Sequence, residues 1–346
     1  MNDAFHALIR GDRNGPWPML QRAGLWALSL GYRLGVSVRN RAFERGWTTT
    51  HKAAVPVVSI GNLTVGGTGK TPCVEWVARF YRQQGLQLAL LSRGYGSEAG
   101  RNDEALVLEE NLPDVPHLQG ADRVALATTA VEELESEVLI LDDGFQHRFL
   151  QRTLDIVLVD ATNPWGFGHL LPRGLLREPI SGLRRAHAVI VTRCDLVSPE
   201  TVAAIREKVT QLKPELPIAE STHRPAVWRN ASQQTVSLES LQGRPIAGFC
   251  GLGNPDAFRQ TLVKLGCNVI AWRTYPDHHA YTKDDVEALR AWARELPPDA
   301  AVATTQKDLV KIRLDRIGDR DLWALQIALH FTAGQDTLEK LLGSIV

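Results

Sequence analysis

Apolar positions along this chain fall into two rhythms. Val55 to Ile60, Leu86 to Leu91, Val138 to Leu141, Leu154 to Val159 and Ala188 to Thr192 are short, nearly continuous apolar runs, the pattern of strands buried on both faces of a parallel sheet. Between them the period changes to that of a helix. Val74, Val77, Ala78 and Tyr81 stand at i, i+3, i+4 and i+7 before Gly85, and Thr201 to Leu212 is framed by Ser198 and Pro199 at its start and Pro214 after its end; both stretches are predicted helices. From Pro217 to Arg244 the chain becomes rich in Ser, Gln, Thr and Pro, with short extended pieces at Ala226 to Arg229 and Thr235 to Leu238, and reads as a connection between domains. A second alternating series follows, with strands at Ile246 to Cys250, Asn268 to Trp272, Ala301 to Thr304 and Leu322 to Ile327 and helices at Pro255 to Leu265 and Asp284 to Glu295. The prediction is an α/β protein with a mostly parallel, doubly wound sheet and a second, smaller α/β domain, any ligand lying beyond the carboxyl ends of the strands. Its divisions are a helical region over 1–46, a first domain over 47–220, a linker over 221–244 and the smaller domain over 245–346.

Where the first strand meets the first helix the chain reads SIGNLTVGGTGKTP, Ser59 to Pro72. That order of strand, glycine-rich turn and helix is what a P-loop needs: Thr64, Val65, Gly66, Gly67, Thr68 and Gly69 turn backbone N–H groups toward phosphate, Lys70 reaches the outer phosphates and the Thr71 hydroxyl binds magnesium. The usual pattern has glycine where Thr64 stands; Gly66 and Gly67 supply the backbone freedom instead. Further on, Val138-Leu-Ile-Leu-Asp142-Asp143-Gly144 is an apolar strand ending in two carboxylates. Hard divalent cations take oxygen ligands, so Asp142 and Asp143 are the expected metal-side residues facing the phosphate loop.

The 346 residues fit about two domains. Thirty-nine basic residues balance thirty-nine acidic ones, so no global field draws the chain to nucleic acid and any electrostatic targeting is local. Cys73, Cys194, Cys250 and Cys267 are scattered without ligand or disulfide spacing, which fits a reduced, cytosolic setting. The region to residue 46 carries seven arginines against three acidic residues, and its longest uncharged run there, between Arg22 and Arg33, has ten residues. That is too short to span a bilayer, and no cleavage signal follows. A basic helix bearing Trp17, Leu25, Trp26, Leu28 and Tyr32 suits either the headgroup region of an anionic membrane or packing on the domain.

Other chemistry-bearing residues cluster at predicted strand ends. Thr192-Arg-Cys-Asp195 has the form of a GTPase base-reading element, and Thr305-Gln-Lys307-Asp308 is a second partial version. Gly251-Leu-Gly253 lacks the third glycine of a dinucleotide turn, Asp256 standing in its place. Tyr275-Pro-Asp277-His278-His279-Ala-Tyr281 precedes a helix capped by Thr282 and Asp285; no zinc ligand set accompanies its histidines, and Asp277 orienting His278 would make a proton-handling pair. Arg173 and Arg177, in HLLPRGLLREP, suit either a substrate phosphate or solvent. Arg93-Gly-Tyr95-Gly96 and Asn102-Asp103-Glu104 lie on the same rim, where Asp103 can accept a hydroxyl proton.

Taken in order, GNLTVGGTGKTP, SRGYG, NDE, LDDGFQH, LLPRGLLREP, TRCD, YPDHHAY and TTQKD resemble the tetraacyldisaccharide 4'-kinase family, the lipid A 4'-kinases of Gram-negative bacteria. The resemblance implies a P-loop α/β/α sandwich plus a second, smaller α/β/α domain with nucleotide between them. It implies transfer of the ATP γ-phosphoryl group, with Mg2+, to the 4'-hydroxyl of tetraacyldisaccharide 1-phosphate at the cytoplasmic face of the inner membrane, with the N-terminal helix docked there and no nucleic acid or obligate protein partner. Residue by residue it places phosphates on Thr64 to Thr71, magnesium near Asp142 and Asp143, the catalytic aspartate at Asp103 with His278 as its partner, and activity or substrate contact at Lys70, Arg123 and Arg177. Ala105 stands where the family favours proline. The readings from other classes are a P-loop GTPase switch using Asp195 and a kinase of a small soluble metabolite.

Overall fold

The computed structural model describes residues 3–94 and 103–346. In chain order the elements are α1 (Asp3–Arg10), α2 (Pro16–Glu44), β1 (Val57–Asn62), α3 (Lys70–Gln83), β2 (Leu88–Ser92), α4 (Asp103–Asn111), β3 (His117–Gln119), α5 (Arg123–Glu132), β4 (Val138–Asp142), β5 (Leu154–Asp160), β6 (Ala188–Thr192) and α6 (Pro199–Leu212). There follow β7 (Ile218–Arg229), β8 (Thr235–Val236), β9 (Pro245–Cys250), α7 (Pro255–Lys264), β10 (Asn268–Thr274), α8 (Lys283–Arg294), β11 (Ala301–Thr305), α9 (Gln306–Ile312), β12 (Arg316–Ile317), β13 (Arg320–Ala333) and α10 (Gln335–Gly343). The chain is α/β with a mostly parallel sheet.

It divides into two compact units, the first made of residues 1–93, 114–223 and 329–346 and the second of 94–113 and 224–328. This corrects the linear division drawn from sequence. The stretch over 221–244 is not a linker: β7 runs unbroken from Ile218 to Arg229 and β8 pairs back on it. Along β7 Ala219, Ser221, Thr222 and Trp228 are buried while Arg224 and Ala226 are exposed, so burial does not follow polar character and the composition resembles a connection rather than a strand. Gly94 and residues 103–113 belong with the second unit and 329–346 with the first, since long-range packing and not chain order assigns them.

In the first unit the strand order is β7-β6-β5-β1-β4-β2-β3, and every neighbouring pair is parallel. β1 is wholly buried between β4 and β5, as its β-branched composition requires. Val74, Val77, Ala78 and Tyr81 are all fully buried, so the periodicity reads the inward face of α3 correctly; burial raises the Cys73 thiol and the Tyr81 phenol above their ordinary values. The helix stops after Gln83, and Gly85 takes the left-handed conformation with φ 79°. One core cluster joins Val157, Val159, Val189 and Val191 to Ile205 and Val209 of α6, and another sets Ala89, Leu91, Leu139 and Leu141 against Ala127 and Ala130 of α5. In the second unit β10-β9-β11-β13 form a parallel array, and Phe249, Leu289, Ala293, Val302 and Leu322 share a core. The expected glycine turn at Gly251 is a plain strand-to-helix connection in which Asn254 caps α7.

The N-terminal region is the short α1 and the 29-residue α2. Ser29, Tyr32 and Val36, at i, i+3 and i+7, form its docked side: Ser29 Oγ donates to the Leu170 carbonyl and Tyr32 Oη to the Arg177 carbonyl, while Val36 is buried. On the rest of the surface Trp17, Met19, Leu20, Trp26, Leu28, Leu30, Leu34 and Val38 are exposed. At 100° per residue most of these point away from the docked side. No helix among the described residues is long and apolar enough to cross a membrane.

Candidate active site

β1 ends at Asn62 beside the end of β4, with Ile60 in register with Asp142. The loop that follows is therefore delivered to the two carboxylates by sheet pairing alone. Gly66 has φ 111°, and a Cβ placed on Gly66 or Gly67 would meet nothing within 4 Å, so this part of the loop is exposed backbone with no side chain over it. Gly69 has φ 86°, and a Cβ there would run into the ring of His223; glycine is required twice over. Lys70 opens α3, and its Nζ lies 3.5 Å from Asn62 Oδ1 and 3.7 Å from Asp143 Oδ1. The loop is held from below by Thr192 Oγ1, which donates to the Thr68 carbonyl at 2.9 Å, and on its flank by Val65 N donating to the Leu175 carbonyl at 2.8 Å.

Asp143 sits at a left-handed position with φ 53°, an uncommon conformation for aspartate that turns its carboxylate back toward the loop. Arg177 grips it with two parallel bonds of 2.8 Å and also donates to the Asn62 carbonyl and side chain. Burial pushes the Asp143 carboxyl up, but the Arg177 hydrogen bonds and charge, backed by Lys70 and Arg123, outweigh it and hold the group below the ordinary carboxylate value. Behind this pair Glu178, fully buried, accepts from Gln146 Nε2 at 2.8 Å and Arg185 at 2.7 Å, and Gln146 also donates to the Asn62 carbonyl. Gln146 thus braces the end of β1.

The second unit carries a separate constellation. Asp103, the first residue of α4, lies 3.0 Å from His278 Nδ1 and 3.1 Å from Lys311 Nζ, both through Oδ2. His278 has φ 59° and an exposed side chain. Its other nitrogen is 4.0 Å from Asp277, beyond hydrogen-bond range, so Asp277 is not the residue that orients it. The neighbouring histidine is structural: His279 pairs with Asp285 at 3.1 Å, stacks on Tyr275, and stands beside the capping box of Thr282 and Asp285.

Residues 21–346 match the family model described as tetraacyldisaccharide-1-P 4'-kinase. The chain belongs to that family. The tetraacyldisaccharide 4'-kinase of Anaeromyxobacter dehalogenans (strain 2CP-C) is 40% identical, covering 96% of this chain and 92% of the relative. That of Syntrophus aciditrophicus (strain SB) is 37% identical, covering 88% and 86%. Among solved structures, the "apo" form of LpxK from Aquifex aeolicus in complex with ATP superposes with a TM-score of 0.75 at 29% identity, covering 94% of this chain and 99% of that one.

For a member of this kinase family, the remaining residues singled out by sequence sort as follows. Thr64 to Thr71, Asp142, Asp143 and Arg177 come together in the first unit, and Asp103 with His278 in the second. Arg173 does not face the loop. Its Nη1 donates to the Ile9 carbonyl at 2.6 Å and its backbone N–H to Ser29 Oγ, so it ties the N-terminal helices to the body; the sequence offers no acceptor to foresee, because that acceptor is a main-chain carbonyl. Arg123 is 6% exposed and acts on Asp143 through its charge; little of it remains for substrate. In the GTPase-like element Thr192 is bonded to Thr68 and Arg193 to Asp160, while Asp195 is exposed. Its partial copy is buried at Asp308. Tyr95, Gly96 and Asn102 lie outside the described residues.

His223 is a supporting residue that no motif announces. Burial, then the charge of Arg193, push its imidazole down to about 4 against the opposing pull of Asp160 and Asp195. A histidine whose folded value lies below its ordinary 6.5 binds fewer protons folded than unfolded, so the stability linked to it is complete above 6.5 and is lost as pH falls toward 4. Thermal melts from pH 7 down to 4 should show a fall in Tm that His223→Gln makes shallower; an unchanged slope would remove His223 from this account.

Proposed function

We propose that this chain transfers the ATP γ-phosphoryl group to the 4'-hydroxyl of tetraacyldisaccharide 1-phosphate at a membrane surface, with Thr64 to Thr71 as the phosphate loop and Asp103 as the base. The observation that carries the reading is the glycine loop left open at Gly66 and Gly67, with Lys70 directly after it and Asp143 fixed beside Lys70. Backbone N–H groups and the Lys70 ammonium take the phosphates, and Arg177 keeps Asp143 from swinging into their place. The oxygen donors suit a hard cation: Thr71, Asp142 and Asp143 would hold Mg2+. When bound, that ion supplies neutralisation of phosphate charge. With Oδ2 of Asp103 held by His278 and Lys311, Oδ1 is the oxygen that accepts the sugar hydroxyl proton, and His278 steadies the resulting charge.

Membrane contact at the cytoplasmic face of the inner membrane belongs to the same proposal. The exposed apolar side of α2, with Trp17 67% and Leu28 and Leu34 each 64% exposed, and the arginines along the helix suit an anionic headgroup layer. The test is transfer of labelled phosphate from ATP to tetraacyldisaccharide 1-phosphate in mixed micelles, run beside vesicle binding. Transfer is expected with ATP, and Trp26→Glu with Leu34→Glu should lower affinity for anionic vesicles by at least about 100-fold, each side chain that enters the membrane contributing roughly 1.5–3 kcal/mol. Absence of transfer, or transfer indifferent to lipid surface and to those substitutions, would overturn the corresponding half of the reading.

A further inference from the structure

The Thr305-Gln-Lys307-Asp308 motif reads no base, yet its surroundings are specific. Asp308 is completely buried and accepts from Gly251 N at 3.2 Å, Thr305 Oγ1 at 2.6 Å and Tyr281 Oη at 3.0 Å. Burial, reinforced by the Asp308 charge and hydrogen bond, raises the Tyr281 phenol above its ordinary value, so it stays a hydrogen-bond donor. One turn along α9, Lys311 Nζ stands 3.6 Å from Asp308 Oδ1 and 3.1 Å from Asp103 Oδ2, with its side chain 11% exposed. The same ammonium lies 5.5 Å from the centre of the Tyr281 ring. The charges therefore run in a line, Asp308, Lys311, Asp103, His278. The helix carrying them is fastened to α4 elsewhere too: Lys307 Nζ meets Glu104 at 3.1 Å, and Gln306 Nε2 donates to Asn111 Oδ1 at 2.6 Å.

We infer that Lys311 is a positioning residue for the phosphoryl-transfer reaction, holding Asp103 against His278 with the buried Asp308 as its anchor. The inference rests on the reading of Asp103 as the base. An ammonium enclosed by two carboxylates and an aromatic face has little freedom to leave, so it fixes Oδ2 and with it the plane in which Oδ1 is presented to the acceptor hydroxyl. Without it the two carboxylates lose their shared counter-charge, and Asp103 turns away from the buried Asp308. Lys307 provides the internal comparison, because it bridges the same two helices through Glu104 and leaves Asp103 untouched.

The test is a double-mutant cycle on the full chain, assayed with ATP and tetraacyldisaccharide 1-phosphate in mixed micelles. Lys311→Met should lower kcat by about 30- to 100-fold with the KM for ATP within about threefold, and in an Asp103→Asn background the same substitution should cost less than about twofold, because its route to the reaction is already gone. Lys307→Met should stay within about threefold of the parent. If Lys311→Met melts below the assay temperature, the cycle is read with Lys311→Gln. The inference is wrong if either Lys311 variant keeps parental kcat, if its effect multiplies with that of Asp103→Asn, or if Lys307→Met is equally damaging. A fully active Asp103→Asn single variant would instead sink the assignment of the base.

Discussion

Asp103→Asn is expected to lower kcat for transfer to the lipid by about 10²–10⁴-fold, the span a positioned general base contributes, with ATP affinity within a few fold of the parent. The amide keeps the size of the side chain and can still meet His278, so the loss reports the missing proton acceptor rather than a collapsed loop. The geometry makes this a clean substitution: Asp103 touches His278 and Lys311 through a single oxygen, and its neighbour Glu104 keeps α4 tied to Lys307. Steady-state kinetics over ATP and lipid concentration, with equilibrium binding of ATP, separate the two quantities. An Asn variant with parental kcat would take Asp103 out of the chemistry.

Lys70→Met should be at least as damaging, lowering kcat/KM by about 10³-fold through loss of a charge aimed at the transferring phosphoryl group. Here the expected split differs, since the ammonium also serves ground-state phosphate and the KM for ATP should rise together with the fall in kcat. Stability should hardly change. Asp143 retains both bonds from Arg177 when Lys70 is gone, and the methionine stem follows the path of the lysine stem. Thermal melts and the same kinetic assay check both statements; a large drop in Tm would mean that Lys70 is chiefly a structural counter-ion of Asp143.

The contrast between these two residues also shows what a sequence conveys. Lys70 is legible because the segment that carries it is local: strand, turn and helix are consecutive, and the turn is encoded by Gly66, Gly67 and Gly69. The inward face of α3 is legible for the same reason, and so is the apolar strand that carries Asp142 and Asp143 to its tip. The strand over residues 218–229 is less legible, because it buries Ser221 and Thr222 and exposes Ala226, so no apolar alternation marks it. Arg173 and Arg177 share one loop and one chemistry, yet one guanidinium holds Asp143 and the other the Ile9 carbonyl. Nothing in their spacing distinguishes them.

The chain's own order of residues determined the alternation of strand and helix, the phosphate loop, the carboxylate-tipped strand and the kinase family, since each rests on periodicity or on neighbours a few positions apart. The tertiary structure decided the partners. Asp103 and His278 stand 175 positions apart, and Lys311 is 208 from Asp103; a charged side chain is drawn to whatever opposite charge the packed backbone brings within a few ångströms, and that distance is set by the assembled core rather than by the spacing of residues along the chain.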